Sequence, residues 1–381
     1  MSNTQKKNVP ELRFQGFEGE WEEKKLEDLI KVNSGKDYKH LDKGDIPVYG
    51  TGGYMTSVSE PLSEIDAVGI GRKGTINKPY LLEAPFWTVD TLFYCTPKKE
   101  TDILFILSLF RKINWKVYDE STGVPSLSKQ TINKINRFVP TNKEQQKIGK
   151  FFSKLDRQIE LEEQKLELLQ QQKKGYMQKI FSQELRFKDE NDKDYPDWEE
   201  ENLGDLLIEV SDKTTTNNQY TLLSSTKNGL KSQEEYFKKQ IASKDSTGYK
   251  ILRLNQLVLS PQNLWLGNIN INQQFDFGIV SPSYKVYTLK NNFDIQFAKD
   301  LLKSPKYIYE YALASEQGAS IVRRNLNLDL FHFIKVNLPD LVEQKKIGFF
   351  LSEVDASIEM QSLKLNLLNK RKKVLLQKVF L

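Results

Sequence analysis

Apolar residues recur in alternating steps of four and three along two stretches of this chain, residues 140–181 and 339–380. The first ladder is Ile148, Phe152, Leu155, Ile159, Leu166, Leu169, Tyr176 and Ile180, with polar breaks at Glu162 and Lys173. The second is Ile347, Leu351, Val354, Ile358, Leu365, Leu368, Leu375 and Val379, with breaks at Gln361 and Lys372. Apolar spacing of 3.5 over several heptads predicts coiled-coil helices. About 38 residues at ~1.5 Å each would reach roughly 57 Å, longer than a helix inside one domain needs to be. Pro140 and Pro339 stand just ahead of the ladders, where a missing N–H does no harm.

The two stretches align without a gap at a constant offset of 199 residues, and roughly half the positions are identical. A repeat this distant is not a solenoid but a duplicated module. The shared polar breaks suggest that the helices pack on each other, and a pseudo-two-fold duplication makes them antiparallel. The seam expected on one side is Leu155, Ile159, Glu162, Leu166, Leu169 and Lys173; on the other it is Ile358, Gln361, Leu365, Leu368, Lys372 and Leu375. The expected register sets Glu162 opposite Lys372 and Lys173 opposite Gln361, with Leu166 against Leu368 and Ile159 against Leu375. Polar groups in a seam fix register.

The repeat is larger than the helix. An ELRF…W phrase ends at Trp21 and returns, ending at Trp198; KKLEDLI and ENLGDLL follow the two tryptophans. Between head and helix lie Gly- and Pro-punctuated strands such as DIPVYGTGGY and DAVGIGRKGTI in the first body. The second body has YKILRLNQLVL and IVSPSYKVYTL, and each body has a helical piece, near 102–116 and 295–314. The expected organisation is an arm (1–19), a globular body (20–142), a helix (143–182), a second body (183–341) and a second helix (342–381). The fold class is α+β: two similar globular domains joined by two long antiparallel helices, by internal pseudo-two-fold duplication.

With 381 residues, 38% apolar and 28% charged, the chain is of globular type and long enough for two or three cores. The polar first ten residues carry no signal h-region, and the apolar run at 103–110 is too short to cross a bilayer. A single cysteine, Cys95, fits a reducing cytoplasm. The net charge of +5 is too small to imply nucleic acid by itself, so basic patches must be local.

No motif carries chemistry. GIGRKG (69–74) has the G-x-G-x-x-G letters, but Pro79 and a strand-like run follow instead of a helix. Its glycines are expected to form a tight turn exposing Arg72 and Lys73. PDLVEQK (339–345) places its carboxylates too close for a nuclease metal platform and reads as an acidic helix N-terminus. Two histidines and one cysteine argue against a His/Cys zinc site. What remains is polar loops, since Arg and Lys suit guanine edges while Asn and Gln suit adenine edges. The first body offers Lys36, Tyr38, Lys39, Arg72, Lys73, Asn77 and Lys78. The second offers Lys213, Thr215, Asn217, Gln262, Asn263, Asn268, Arg323 and Arg324.

The repeated P…EQxKIGxF…D…I…QKxF tail, the ELRF…W head and the GTGG, GRKG and FWTVDTLFY phrases resemble the specificity (S) subunit of type I restriction-modification systems. The resemblance covers nearly the whole chain; in the second body SPQNLWLGNI takes the place of GIGRKGTI. It implies a subunit that is not an enzyme. Each target-recognition domain would read one half of a bipartite double-stranded DNA target, and the paired helices would hold the halves apart. It also implies two methyltransferase (M) subunits and restriction (R) subunits as partners, with no membrane. S-adenosylmethionine, ATP and magnesium (Mg) would belong to those partners, with no cofactor in this chain. Two alternatives stay open: a coiled-coil adaptor without specific DNA binding, and a recognition region detached from a fused restriction–methylation enzyme.

Overall fold

The heptad ladders fold as two long helices, α2 (Asn142–Phe181) and α5 (Leu341–Val379). Helix α1 (Ile103–Lys112) precedes the first, and α3 (Ile295–Leu301) and α4 (Pro305–Leu313) precede the second. The structure, a computed structural model, describes residues 8–236, 245–320 and 323–381. It divides into unit 1, Met1–Lys165 with Ser362–Leu381, and unit 2, Leu166–Gln361. Among the described residues no helix is long and apolar enough to cross a membrane.

Unit 1 is closed by β1 (Glu22–Lys25) pairing antiparallel with β9 (Asn136–Val139), which brings the ELRF…W head beside the start of α2. Between them lie β2 (Ile30–Ser34), β3 (Ile46–Gly50), β4 (Gly53–Val58), β5 (Ala67–Gly71), β6 (Tyr80–Leu82), β7 (Trp87–Thr88) and β8 (Leu92–Pro97). An antiparallel inner sheet has the order β2-β8-β5-β6, and an outer sheet has β4-β3-β7. Unit 2 closes in the same way, Glu199–Asn202 against Lys335–Leu338. Its inner sheet repeats the order with Leu207–Val210, Lys285–Leu289, Leu257–Leu259 and Ile269–Ile271. The outer layer repeats only in part: the hairpin Leu223–Thr226 with Gly229–Ser232 meets Phe277–Val280 through a parallel bridge, Leu222 to Ile279, much as β3 meets β7, and unit 2 adds Lys250–Arg253 antiparallel to Phe277–Val280. The chain is therefore α+β and internally duplicated, with the copies matching strand for strand in the inner sheet and only in part in the outer layer.

The repeated letters have one structural job in each copy. Arg13 of the first ELRF clasps Glu144 with Nε and Nη2 at 2.8 and 2.7 Å; Arg186 of the second clasps Glu343 at 3.2 and 2.8 Å. Gln145 accepts from Asp102 N (3.1 Å) and donates to Pro140 O (3.0 Å), while Gln344 accepts from Asp294 N (2.8 Å) and donates to Pro339 O (2.9 Å). Asp102 and Asp294 are the N-caps of α1 and α3. The glycine of KIG lets the long helix run against those caps. A Cβ on Gly149 would lie 2.4 Å from Asp102 Oδ1, and one on Gly348 would lie 2.8 Å from Phe297 N. The closing phenylalanines complete the pattern: Phe380 packs on Trp21 and Phe105, and Phe181 on Phe297, which also packs on Trp198. Burying each such large apolar side chain contributes about 1.5–3 kcal/mol.

The helices are antiparallel in each unit, but the register differs from the expectation by about one heptad. In unit 1, Glu162 meets Lys364 at 2.5 Å and not Lys372, whose amine pairs with Asp156. In unit 2, Lys173 meets Asp355 at 2.6 Å and not Gln361, and Tyr176 packs on Phe350. Leu155, Ile159 and Leu368 share the unit 1 core, with Leu365 and Leu375 packed against it. Leu166, Leu169 and Ile358 are half-buried and Gln361 is buried. Apolar periodicity cannot distinguish these registers, because a slip of seven residues restores every apolar layer. Charge decides. Asp156 receives Arg111 and Lys372, and Asp355 receives Lys299 and Lys173, so each repeat's aspartate stands between two cations. The Asp156–Lys372 and Asp355–Lys173 pairs are equivalent under the 199-residue offset, which accounts for the lysine break in each ladder.

Candidate nucleic-acid interface

In unit 1 the candidate loops hang from one turn, residues 88–91. Lys36 N donates to Thr88 O (2.8 Å), Arg72 N to Thr91 O (2.8 Å), and Val89 N to Tyr49 O (3.0 Å). Gly35 makes the crossing possible, since a Cβ there would stand 2.0 Å from Val89 O. Lys36, Lys39, Lys73, Asn77 and Lys78 are exposed on these loops. Tyr38 is half-buried against the Val48, Val58 and Trp87 cluster. Arg72 departs from the sequence expectation. It is half-buried, its guanidinium lies 5.9 Å from the Phe93 ring centre, and Nη1 reaches Asp90 O at 3.4 Å. Next to the strand end, Arg72 braces the turn and Lys73 carries the outward charge. Gly74 turns the chain at φ +86° and donates to Pro125 O at 2.8 Å.

The hairpin between β3 and β4 adds residues that the loop inventory missed. At its tip Tyr54 is 63% and Met55 53% exposed. Tyr54 packs edge-on against Tyr49, Tyr49 packs on Tyr80, and Tyr80 Oη donates to Gly50 O at 2.6 Å. Burial pushes the Tyr80 hydroxyl pKa up, as does neighbouring Tyr49, so it stays a donor. The GTGGY letters were the available signal: paired glycines before an aromatic mark a hairpin tip.

Unit 2 gathers its candidates in two places. Lys213 and Thr215 are exposed on a loop sewn to Ser246, where Asn217 Oδ1 accepts from Ser246 N (2.9 Å) and Thr214 Oγ1 donates to Ser246 O (2.7 Å). The second place is built on Trp265. Arg324 stacks 4.6 Å from its ring centre, donates Nη1 to Ala312 O (3.2 Å), and sends its backbone N–H to Gln262 O (3.3 Å). Gln262 is exposed and Asn263 half-buried. Asn268 is buried, its amide accepting from Ser225 Oγ (2.5 Å) and donating to Ser225 O (2.9 Å), so it joins strands and is not presented at the surface. The side chain of Arg323 lies outside the described residues.

Residues 18–171 match the family model of the type I restriction modification DNA specificity domain. The whole chain is similar in fold to the type I restriction-modification S subunit from M. genitalium, with TM-score 0.65 and 16% identity over 98% of this chain and 99% of that one. It is also similar to a chain from a structure of complex assembly and conformational transition of the type I R-M system. That likeness has TM-score 0.50 and 13% identity, over 94% of this chain and 97% of that one.

Residues 18–171 thus carry the match to the specificity domain, and the chain as a whole has the fold of the S-subunit structure.

The candidate loops sit on the outer layers, where the two units differ most. Unit 1 presents lysines around a glycine turn, whereas unit 2 presents amides, hydroxyls and an arginine stacked on Trp265. Trp265 and Tyr54 were absent from the sequence inventory because an isolated aromatic in a loop is indistinguishable from core until its exposure is seen.

Proposed function

We propose that this chain is the DNA-reading subunit of a type I restriction-modification complex, each unit reading one half of a bipartite double-stranded target. The paired helices set the separation and dock two methyltransferase subunits, and restriction subunits join the complete assembly. Methylation and cleavage, with S-adenosylmethionine, ATP and magnesium, reside in those partners. The observation that carries the reading is the contrast between the copies. Their inner sheet, arginine–glutamate clasp and helix glycine repeat, while their exposed loops share almost nothing. A duplicated scaffold with divergent loops is what two readers of different sequences need, since base contacts specify and the scaffold positions.

The experiment maps methylated bases in cells that carry the partner methyltransferase, with and without this chain. The expected result is one split motif that disappears with the chain. A coiled-coil adaptor predicts an unchanged map. Heptads inserted after Gln164 and Leu363, which face each other in the observed register, should lengthen the gap by about three base pairs. This follows from ~10.5 Å per heptad and ~3.4 Å per base pair. An unaltered gap would mean that the helices do not set it.

A further inference from the structure

Unit 2 contains a cavity of about 830 Å³, within the roughly 300–1,000 Å³ range of small-molecule sites. Its apolar walls include Met177 and Phe181 from the last turns of α2, Trp198 from the head, and Leu301, Tyr307 and Ile358. Four lysines also line it, Lys173, Lys174, Lys303 and Lys306, and no aspartate or glutamate does. Lys173 is neutralised by Asp300 and Asp355 at 2.7 and 2.6 Å. Among the described residues no ion pair engages the other three lysines. Lys303 donates to the neutral amide of Asn270 at 2.5 Å, and Lys306 lies 5.4 Å from the centre of the Tyr307 ring. Ser304, 4% exposed, has a buried hydroxyl without a hydrogen-bond partner.

The corresponding positions of unit 1 show that this space is not a by-product of the shared scaffold. Ser304 corresponds to Lys112, Tyr307 to Trp115, and Asn337 to Phe138. Trp115 is buried there and donates Nε1 to Phe110 O at 2.7 Å, Phe138 packs against the core, and Lys112 reaches Gln377 O at 3.4 Å. Unit 1 places bulk where unit 2 places smaller side chains. Burial holds the Lys303 ammonium down, to a pKa of about 8, and an anion nearby would relieve that cost.

We infer that unit 2 carries a binding site for a small amphipathic anion, with an aromatic or acyl body against Trp198, Phe181 and Tyr307 and its acidic head at the lysine rim. DNA reading plays no part in the inference. Its test uses the full chain, titrated with 8-anilinonaphthalene-1-sulfonate while tryptophan is excited, because Trp198 lies in the wall. One saturable site per chain is expected, displaced by decanoate. Asn337→Phe, which restores the unit 1 residue, should weaken the probe tenfold or more with an unchanged melting profile. Lys306→Gln should weaken the sulfonate several-fold and leave neutral N-phenyl-1-naphthylamine unaffected; this arm decides alone if Asn337→Phe does not fold. Equal binding to wild type and Asn337→Phe would overturn the site. Equal effects of Lys306→Gln on both probes would overturn the anion.

Discussion

Replacing Glu343 by alanine tests the clasp that joins the repeated head to the repeated helix. Glu343 is fully buried and receives three donors: Arg186 Nε (3.2 Å), Arg186 Nη2 (2.8 Å) and Trp198 Nε1 (3.1 Å). Removing one partner of a buried ion pair costs about 3–5 kcal/mol, because the other charge is stranded. Arg186 retains two backbone acceptors, Tyr195 O at 3.3 Å and Pro196 O at 2.6 Å. Those place Glu343→Ala near the lower bound, about 3 kcal/mol. For a unit of this size each kcal/mol moves Tm by about 2–4 °C, so unit 2 should melt about 6–12 °C lower in calorimetry of the full chain. The double-mutant cycle sharpens the test. Arg186→Ala should cost little once Glu343 is gone, giving a coupling of about 2 kcal/mol or more. Additive single effects, or a loss under about 1 kcal/mol, would refute the clasp as the anchor.

Other perturbations separate the remaining claims. Gly149→Ala forces a Cβ onto the α1 cap and should cost about 1–3 kcal/mol by urea denaturation; an unchanged midpoint would show that α2 can shift away. Glu162→Lys should be rescued by Lys364→Glu and not by Lys372→Glu, with effects of about 0.5–1 kcal/mol; rescue by position 372 instead would restore the rejected register. Lys303 has a folded pKa of about 8, lowered chiefly by burial, below the ~10.4 of an unfolded lysine. Between those values the unfolded chain holds the proton and the folded chain does not, so stability rises with pH across that window. Relative to Lys303→Met, the wild type should gain on the order of 2–3 kcal/mol from pH 8 to above pH 10; parallel stability curves would contradict the burial.

The duplication, the fold class and the long helices were legible because they rest on periodicity and on repeated letters. The register was not. Heptad layers repeat every seven residues, so the expected pairing of Glu162 with Lys372 and the observed one with Lys364 bury equivalent seams. The aspartates that decide, Asp156 and Asp355, lie off the apolar ladder. The jobs of Glu144, Gln145 and Gly149 were also hidden, since each acts on a residue more than forty positions away. For the surface, sequence located the loops but could not tell Lys73, which points out, from Arg72, which lies along Phe93, or see that the Asn268 amide is sealed against Ser225.

The central claim is that the two units read separate halves of one target. Its most direct test is a methylation map of cells carrying the Lys73→Ala/Lys78→Ala double variant with the partner methyltransferase. Both lysines are exposed on unit 1 loops and neither belongs to the shared framework. A specific base contact is worth about 1–3 kcal/mol, or roughly 5- to 150-fold. The account predicts that modification weakens or relaxes at the bases of one half-site while the other half-site and the gap stay as in wild type. Equal change in both halves, or a map identical to wild type, would contradict it.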